Sequence, residues 1–116
     1  MTEQERQELI ATIAYWLGYQ PVIIDGVNYG WSDGKGKAEH GASWDPSEHW
    51  QFCEPVFDKL EAGKYRWSMS HTPYEGCHLM IGGHNGIFSE AEAGTRPLAV
   101  CLAIRKLAEK EAEVQA

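Results

Sequence analysis

The chain has 116 residues, 43% hydrophobic, 11% aromatic and 23% charged, with 10 Lys+Arg against 17 Asp+Glu for a net charge of −7. That length argues for one domain over residues 1–116, large enough to bury roughly two-thirds of the surface its unfolded form exposes. The apolar fraction excludes wholesale disorder, no run approaches the ~18 apolar residues of a membrane span, and an acidic balance without a basic stripe disfavours direct nucleic-acid binding.

Residues 3–17 read as a helix. Thr2 can cap it, Glu3 and Glu5 suit its N-terminal dipole, and Leu9, Ile10, Ile13, Ala14 and Leu17 form one apolar stripe. Gly18 stops it. The polar start does not read as a secretory signal, so the expectation is a soluble, cytoplasmic protein. Two β-branched runs, 21–24 and 27–31, then flank Asp25-Gly26, a hairpin signal because both central residues of a type I′ turn need positive φ. Residues 32–44, rich in glycine and charge, read as an exposed loop. A second helix is predicted to open at Trp44-Asp45-Pro46, with Asp45 as cap and Pro46 at the first helical position. Cys53, Val56, Phe57 and Leu60 supply its buried stripe, and Gly63 ends it.

Three further strands follow. Residues 64–70 alternate, with Tyr65, Trp67 and Met69 on one face. Residues 71–76 read as a loop, 77–81 as a strand with Cys77, Leu79 and Ile81 on one face, 82–86 as a tight turn and 87–93 as the last strand. The final helix starts at Thr95 and Pro97. Leu98, Val100, Cys101, Leu102, Ile104 and Leu107 nearly encircle it, the pattern of a buried helix. The polar tail at 109–116 is expected to fray. The predicted fold is therefore α+β: a mostly antiparallel sheet of about five strands with three helices packed on it, in the order αββαβββα.

The chemistry-bearing residues form no established constellation. Cys53, Cys77 and Cys101 are odd in number and widely spaced, which argues against a disulfide framework. His71, Cys77, His78 and His84 lie close in sequence but lack the paired-ligand spacing of a zinc site. His49 and Cys53, four residues apart on a helix, could pair as imidazole and thiolate, but Cys53 falls in the apolar stripe, where thiols are inert. Gly82–Gly86 resembles a phosphate cradle, yet no helix and no lysine follow it. No metal or cofactor is expected. The segment 46–110 has the αβββα order of a double-stranded-RNA-binding domain, but its last helix opens on acids and a single Arg96.

Trp44-Asp45-Pro46-Ser47, the stretch from Thr95 to Ala103, and Leu17-Gly18-Tyr19 closing the first helix together resemble the phage ABA sandwich proteins of bacteriophages and prophages. The pattern there often has Asn where this chain has Asp45. The resemblance implies a phage accessory protein acting in the host cytoplasm, without catalytic residues to carry over. Small acidic phage proteins of this size often block host machinery, as anti-CRISPR proteins do. The function expected is thus a non-enzymatic inhibitor of a bacterial defence or nucleic-acid-handling complex with a basic surface. The aromatics and acids around the 32–44 segment are the expected partner contacts: Trp31, Asp33, Glu39, Trp44 and Glu48. The alternatives are a small metal- or thiol-dependent enzyme, and a nucleotide-binding module using Gly82–Gly86.

Overall fold

A computed structural model describes residues 1–33, 39–41, 44–74, 76–83 and 86–115. In chain order the elements are α1 (Glu3–Trp16), β1 (Gln20–Ile24), β2 (Val27–Ser32), β3 (Glu39–Gly41), a 3-10 segment (Trp50–Cys53), α2 (Glu54–Ala62), β4 (Arg66–Thr72), β5 (Gly76–Gly82), β6 (Phe88–Ala93) and α3 (Arg96–Gln115). The α+β class, the three α-helices and the antiparallel pairing agree with the sequence pattern. The strands divide, however, into two three-stranded sheets, β1-β2-β3 and β4-β5-β6, rather than lying in one. The extra strand, β3, falls inside the segment read as a loop.

α1 begins with a reciprocal cap. The Glu5 amide donates to Thr2 Oγ1 at 3.1 Å, and the Glu5 carboxylate accepts from the Thr2 amide at 3.5 Å. Its stripe of Leu9, Ile10, Ile13 and Ala14 is buried. The β1–β2 hairpin turns through Asp25 (φ 52°) and Gly26 (φ 79°), the left-handed pair a type I′ turn requires. Beyond the turn the register slips. Pro21 faces Trp31 and Ile23 faces Asn28, so two steps along β1 match three along β2. This bulge reverses the side-chain alternation. Trp31 therefore points to the opposite face from Val27 and Tyr29, and it is buried where they are more than half exposed.

The second helix does not open at Asp45. The Asp45 carboxylate instead closes a local turn, accepting from the Ser47 amide at 2.9 Å and from the Ser47 hydroxyl. Its carbonyl accepts from the amides of Glu48 and His49. His49 is extended (φ −119°, ψ 110°), a 3-10 segment follows, and α2 starts only at Glu54. Pro55 is the physical reason. A helix running from residue 46 would place Pro55 in its interior, where proline lacks the required N–H and clashes with the preceding turn. At the first turn of α2 it costs nothing.

In the second sheet β4 continues through His71 and Thr72, which the sequence pattern assigned to a loop, and β5 starts at Gly76. Leu79 and Ile81 of β5, with Ser89 and Ala91 of β6, face α3 and are buried. Ser89 satisfies its hydroxyl by donating to the Ala103 carbonyl at 2.7 Å. The polar end of α3, expected to fray, continues as helix to Gln115. It is tied back by Trp16, whose indole N–H donates to the Glu111 carboxylate at 2.9 Å.

Gly76 meets two constraints at once. Its φ is +79°, and a Cβ there would lie 2.4 Å from the Ala93 carbonyl oxygen. Gly76→Ala should therefore destabilise the fold by about 2 kcal/mol or more. Gly94→Ala, with open space around it, should stay within roughly 0.5 kcal/mol of wild type. Urea unfolding of both variants checks the contrast.

Candidate functional site

The β2–β3 register pairs Ser32 with Glu39 and so brings the backbone of Trp31, Asp33 and Glu39 together, whereas Trp44 and Glu48 lie on the segment that leads into the 3-10 turn. Trp31 is 7% exposed and packs edge-on against Tyr15 at 5.3 Å. Trp44 is 3% exposed and lies between Tyr19 (5.5 Å) and Phe52 (6.3 Å). Both belong to the core and neither is a surface contact. An aromatic beside a Gly-rich loop reads the same from sequence whether it points in or out, and here both point in. Glu48 is exposed and pairs with Arg6 at 2.7 Å. Asp33 lines a cleft of about 320 Å³ with Leu17, Tyr19, Pro55, Asp58 and Lys59. Glu39 lies on β3, and its side chain is outside the described residues.

What the surface does present is a strip along residues 48–58. The 3-10 segment turns Cys53 into the core and leaves Trp50 44% exposed. On α2, Val56 and Leu60 face inward, so Glu54 and Asp58, one helical turn apart, face outward. Trp50, Gln51, Glu54, Phe57 and Asp58 line a shallow cleft of about 270 Å³. This cleft shares Asp58 with the one that holds Asp33. Trp50 rests on Phe57 (5.8 Å), which rests on Trp67 (5.2 Å), so the aromatic base is anchored in the second sheet. Sequence reasoning missed Trp50, Glu54 and Asp58. Their spacing of four residues, opposite the apolar stripe, was the available signal.

The cations at this strip are already engaged. Arg6 lies between Glu48 (2.7 Å) and Asp45 (3.9 Å). Lys59 sits 4.4 Å above the Trp16 ring and donates to the Trp16 carbonyl. Burial pushes the Lys59 ammonium below its ordinary range, against the opposing pull of Glu111. Burial, and then the Asp33 charge, holds the Tyr19 phenol above its ordinary range. The strip thus offers carboxylates around an exposed tryptophan.

Thiol chemistry finds no accessible group among the described residues. All three thiols are buried, at 1%, 1% and 0% exposure for Cys53, Cys77 and Cys101. Cys53 donates to the Pro46 carbonyl at 3.3 Å, while His49 packs edge-on against Phe52 at 5.6 Å, so the two do not form the imidazole–thiolate pair that their spacing would allow. Cys101 is held far above the ordinary thiol range, first by its hydrogen bond with Cys53, then by burial and the nearby charges. The histidine cluster splits across the second sheet. His71 Nδ1 lies 2.9 Å from Cys77 Sγ, whereas His78 Nε2 meets the Glu90 carboxylate at 2.9 Å on the other face. His84 lies outside the described residues. Among those described, no three His, Cys, Asp or Glu side chains converge as metal ligands.

Gly82 and Gly83 border a cleft of about 640 Å³ with Lys64 and Arg66. The β4–β5 register puts Arg66 opposite Gly82 and so supplies cations that the turn itself lacks in sequence. His84 and Asn85 of that turn lie outside the described residues.

No family model and no curated protein matches the chain. The crystal structure of a phage protein from Bacillus cereus does superpose, with a TM-score of 0.53 at 19% identity, over 94% of this chain and 89% of that one. The likeness is one of fold, over nearly the whole of both chains. The finer assignment to the ABA sandwich family has no matching family model behind it.

Two consequences are measurable. Trp44→Ala should cost about 3–5 kcal/mol as a core truncation, and Trp50→Ala less than about 1 kcal/mol as a surface change, both read by urea unfolding. Iodoacetamide should leave the three thiols unlabelled in native protein and label all three once it is unfolded.

Proposed function

We propose that the chain is a non-enzymatic phage or prophage accessory protein. In this reading it works in the host cytoplasm, where it binds and inhibits a bacterial defence or nucleic-acid-handling complex, in the manner of an anti-CRISPR protein. The observation that carries this reading is the cleft at α2: Glu54 and Asp58 beside exposed Trp50, with the neighbouring cations Arg6 and Lys59 engaged by Glu48 and Trp16. An aromatic anchor ringed by carboxylates fits a basic protein surface, where the carboxylates steer encounter and the ring supplies desolvated contact. The net charge of −7 favours the same class of partner. The fold likeness to a phage protein supports the phage origin.

The test is capture of tagged protein from nuclease-treated bacterial lysate, followed by binding measurements on the captured complex. Glu54→Lys with Asp58→Lys should weaken binding at least about tenfold, and Trp50→Ala by about 1–2 kcal/mol or more. Added salt should slow association. Equal binding by wild type and the double charge reversal would remove the strip from the interface.

A second reading, a binding site for a small phosphate-bearing ligand, has one observation in its favour. Lys64 and Arg66 converge on the Gly82-Gly83 backbone at a cleft of about 640 Å³. A nucleotide at a hundred times its Kd should stabilise the fold by about 2.7 kcal/mol. A thermal-shift panel in which no nucleotide raises the Tm, or in which Lys64→Ala and Arg66→Ala leave the rise unchanged, removes that reading.

A further inference from the structure

We infer that the ligand of the Lys64–Arg66 cleft is a free mononucleotide, with its phosphate on the two cations and its base against Phe88. The inference rests on the reading of that cleft as a phosphate site and adds an aromatic wall to it. The strand register supplies the wall. Arg66 of β4 pairs with Gly82 of β5, and Gly82 pairs with Phe88 of β6, so Arg66 and Phe88 stand in one row on the same face of the sheet. Phe88 is 43% exposed, and Lys110 of α3 donates to its carbonyl and lies 5.9 Å from its ring centroid. Between the two walls Gly82 has no side chain, and a Cβ there would meet nothing within 4 Å. Two strand spacings separate Arg66 from Phe88, roughly 10 Å. A flat ring in contact on both sides needs roughly 7–8 Å. The cleft of about 640 Å³ falls in the size range of small-molecule sites.

The two cations are available to a ligand. The ion pairs among the described residues involve only Arg6 and His78 as cations. Lys64 and Arg66, both exposed, stand without a carboxylate among those residues in a chain of net charge −7. Their charge matches that of a phosphate monoester, about −1.5 to −2 at pH 7. The Gly83 amide donates to the Ile87 carbonyl at 2.8 Å, so the side chains carry the anion contact. Lys64 also holds an unusual backbone position. Its amide and that of Tyr65 close the end of α2 on the Glu61 and Leu60 carbonyls, and its φ is 61°. Glycine is the usual residue there. A lysine in that conformation keeps a charge at the cleft in spite of backbone strain.

The same face selects a short ligand. Glu90 and Glu92 follow Phe88 on its side of β6, and both are exposed. A longer phosphate backbone laid along the sheet would meet these carboxylates.

Titration of the full chain with the four common nucleoside 5′-monophosphates, ribose 5-phosphate and the parent nucleosides provides the test. At least one monophosphate should bind about tenfold or more tighter than ribose 5-phosphate or its own nucleoside, since ring and phosphate each contribute about that factor. Phe88→Ala should weaken the monophosphate about tenfold and leave ribose 5-phosphate unchanged. Arg66→Ala should weaken both phosphate compounds about tenfold. Lys64→Gly should weaken both several-fold while it holds or raises the Tm, because it relieves the positive φ. Gly82→Val fills the slot at a strand position without positive φ. It should fold as wild type does and lose the gain that the base provides. If no phosphate compound binds, the phosphate reading falls and this inference with it. Equal binding of monophosphate and ribose 5-phosphate, or monophosphate binding indifferent to Phe88→Ala and Gly82→Val, leaves the phosphate reading standing and overturns the inference. A 5′-phosphorylated dinucleotide that binds tighter than the monophosphate assigns the cleft to a strand end and overturns it as well.

Discussion

The burial of α3 places β5 and β6, α1 and the 3-10 segment. From Ala99 to Leu107 the helix carries Ala99, Val100, Cys101, Ala103, Ile104 and Leu107, each fully shielded from water. A helix apolar on all sides needs cover on all sides. The second sheet lies on one flank, through Leu79, Ile81, Ser89 and Ala91. α1 covers another, and the Cys53 end of the 3-10 segment a third. Small residues on both sides, Ala99 and Ala103 on the helix and Ser89 and Ala91 on the strand, suit a close helix–sheet approach. The Ser89 hydroxyl bonded to the Ala103 carbonyl keeps that contact free of an unpaired polar group.

The same burial decides what the surface can do. Cys53, buried beside Cys101 of α3, donates to the Pro46 carbonyl, so a buried thiol helps to hold the irregular 44–53 stretch of chain. That stretch has little regular hydrogen bonding of its own. It is fixed instead by Asp45 closing the turn at Ser47, by Trp44 packed between Tyr19 and Phe52, and by the Cys53 anchor. Trp50 and Glu48 project from a segment held at both ends. A rigid platform of this kind loses little side-chain and loop entropy when a partner docks.

Local signals were legible in the sequence. Asp25-Gly26 specified its turn, the strict alternation of 65–69 and 77–81 specified faces, and the all-round apolar pattern of α3 specified its burial. The misread features depend on relations between distant residues. The bulge at Tyr29-Gly30 is a register property of two strands, and without it Trp31 would share a face with Tyr29. Pro55 was visible, but Asp45-Pro46 offered an equally good local start, and only the interior penalty of a proline nine residues later decides between them. Trp44 and Trp50 are both aromatics near a helix start, and the packing of Tyr19 and Phe52 around the first is a tertiary fact. Lys64 and Arg66 reach Gly82 only because β4 pairs with β5.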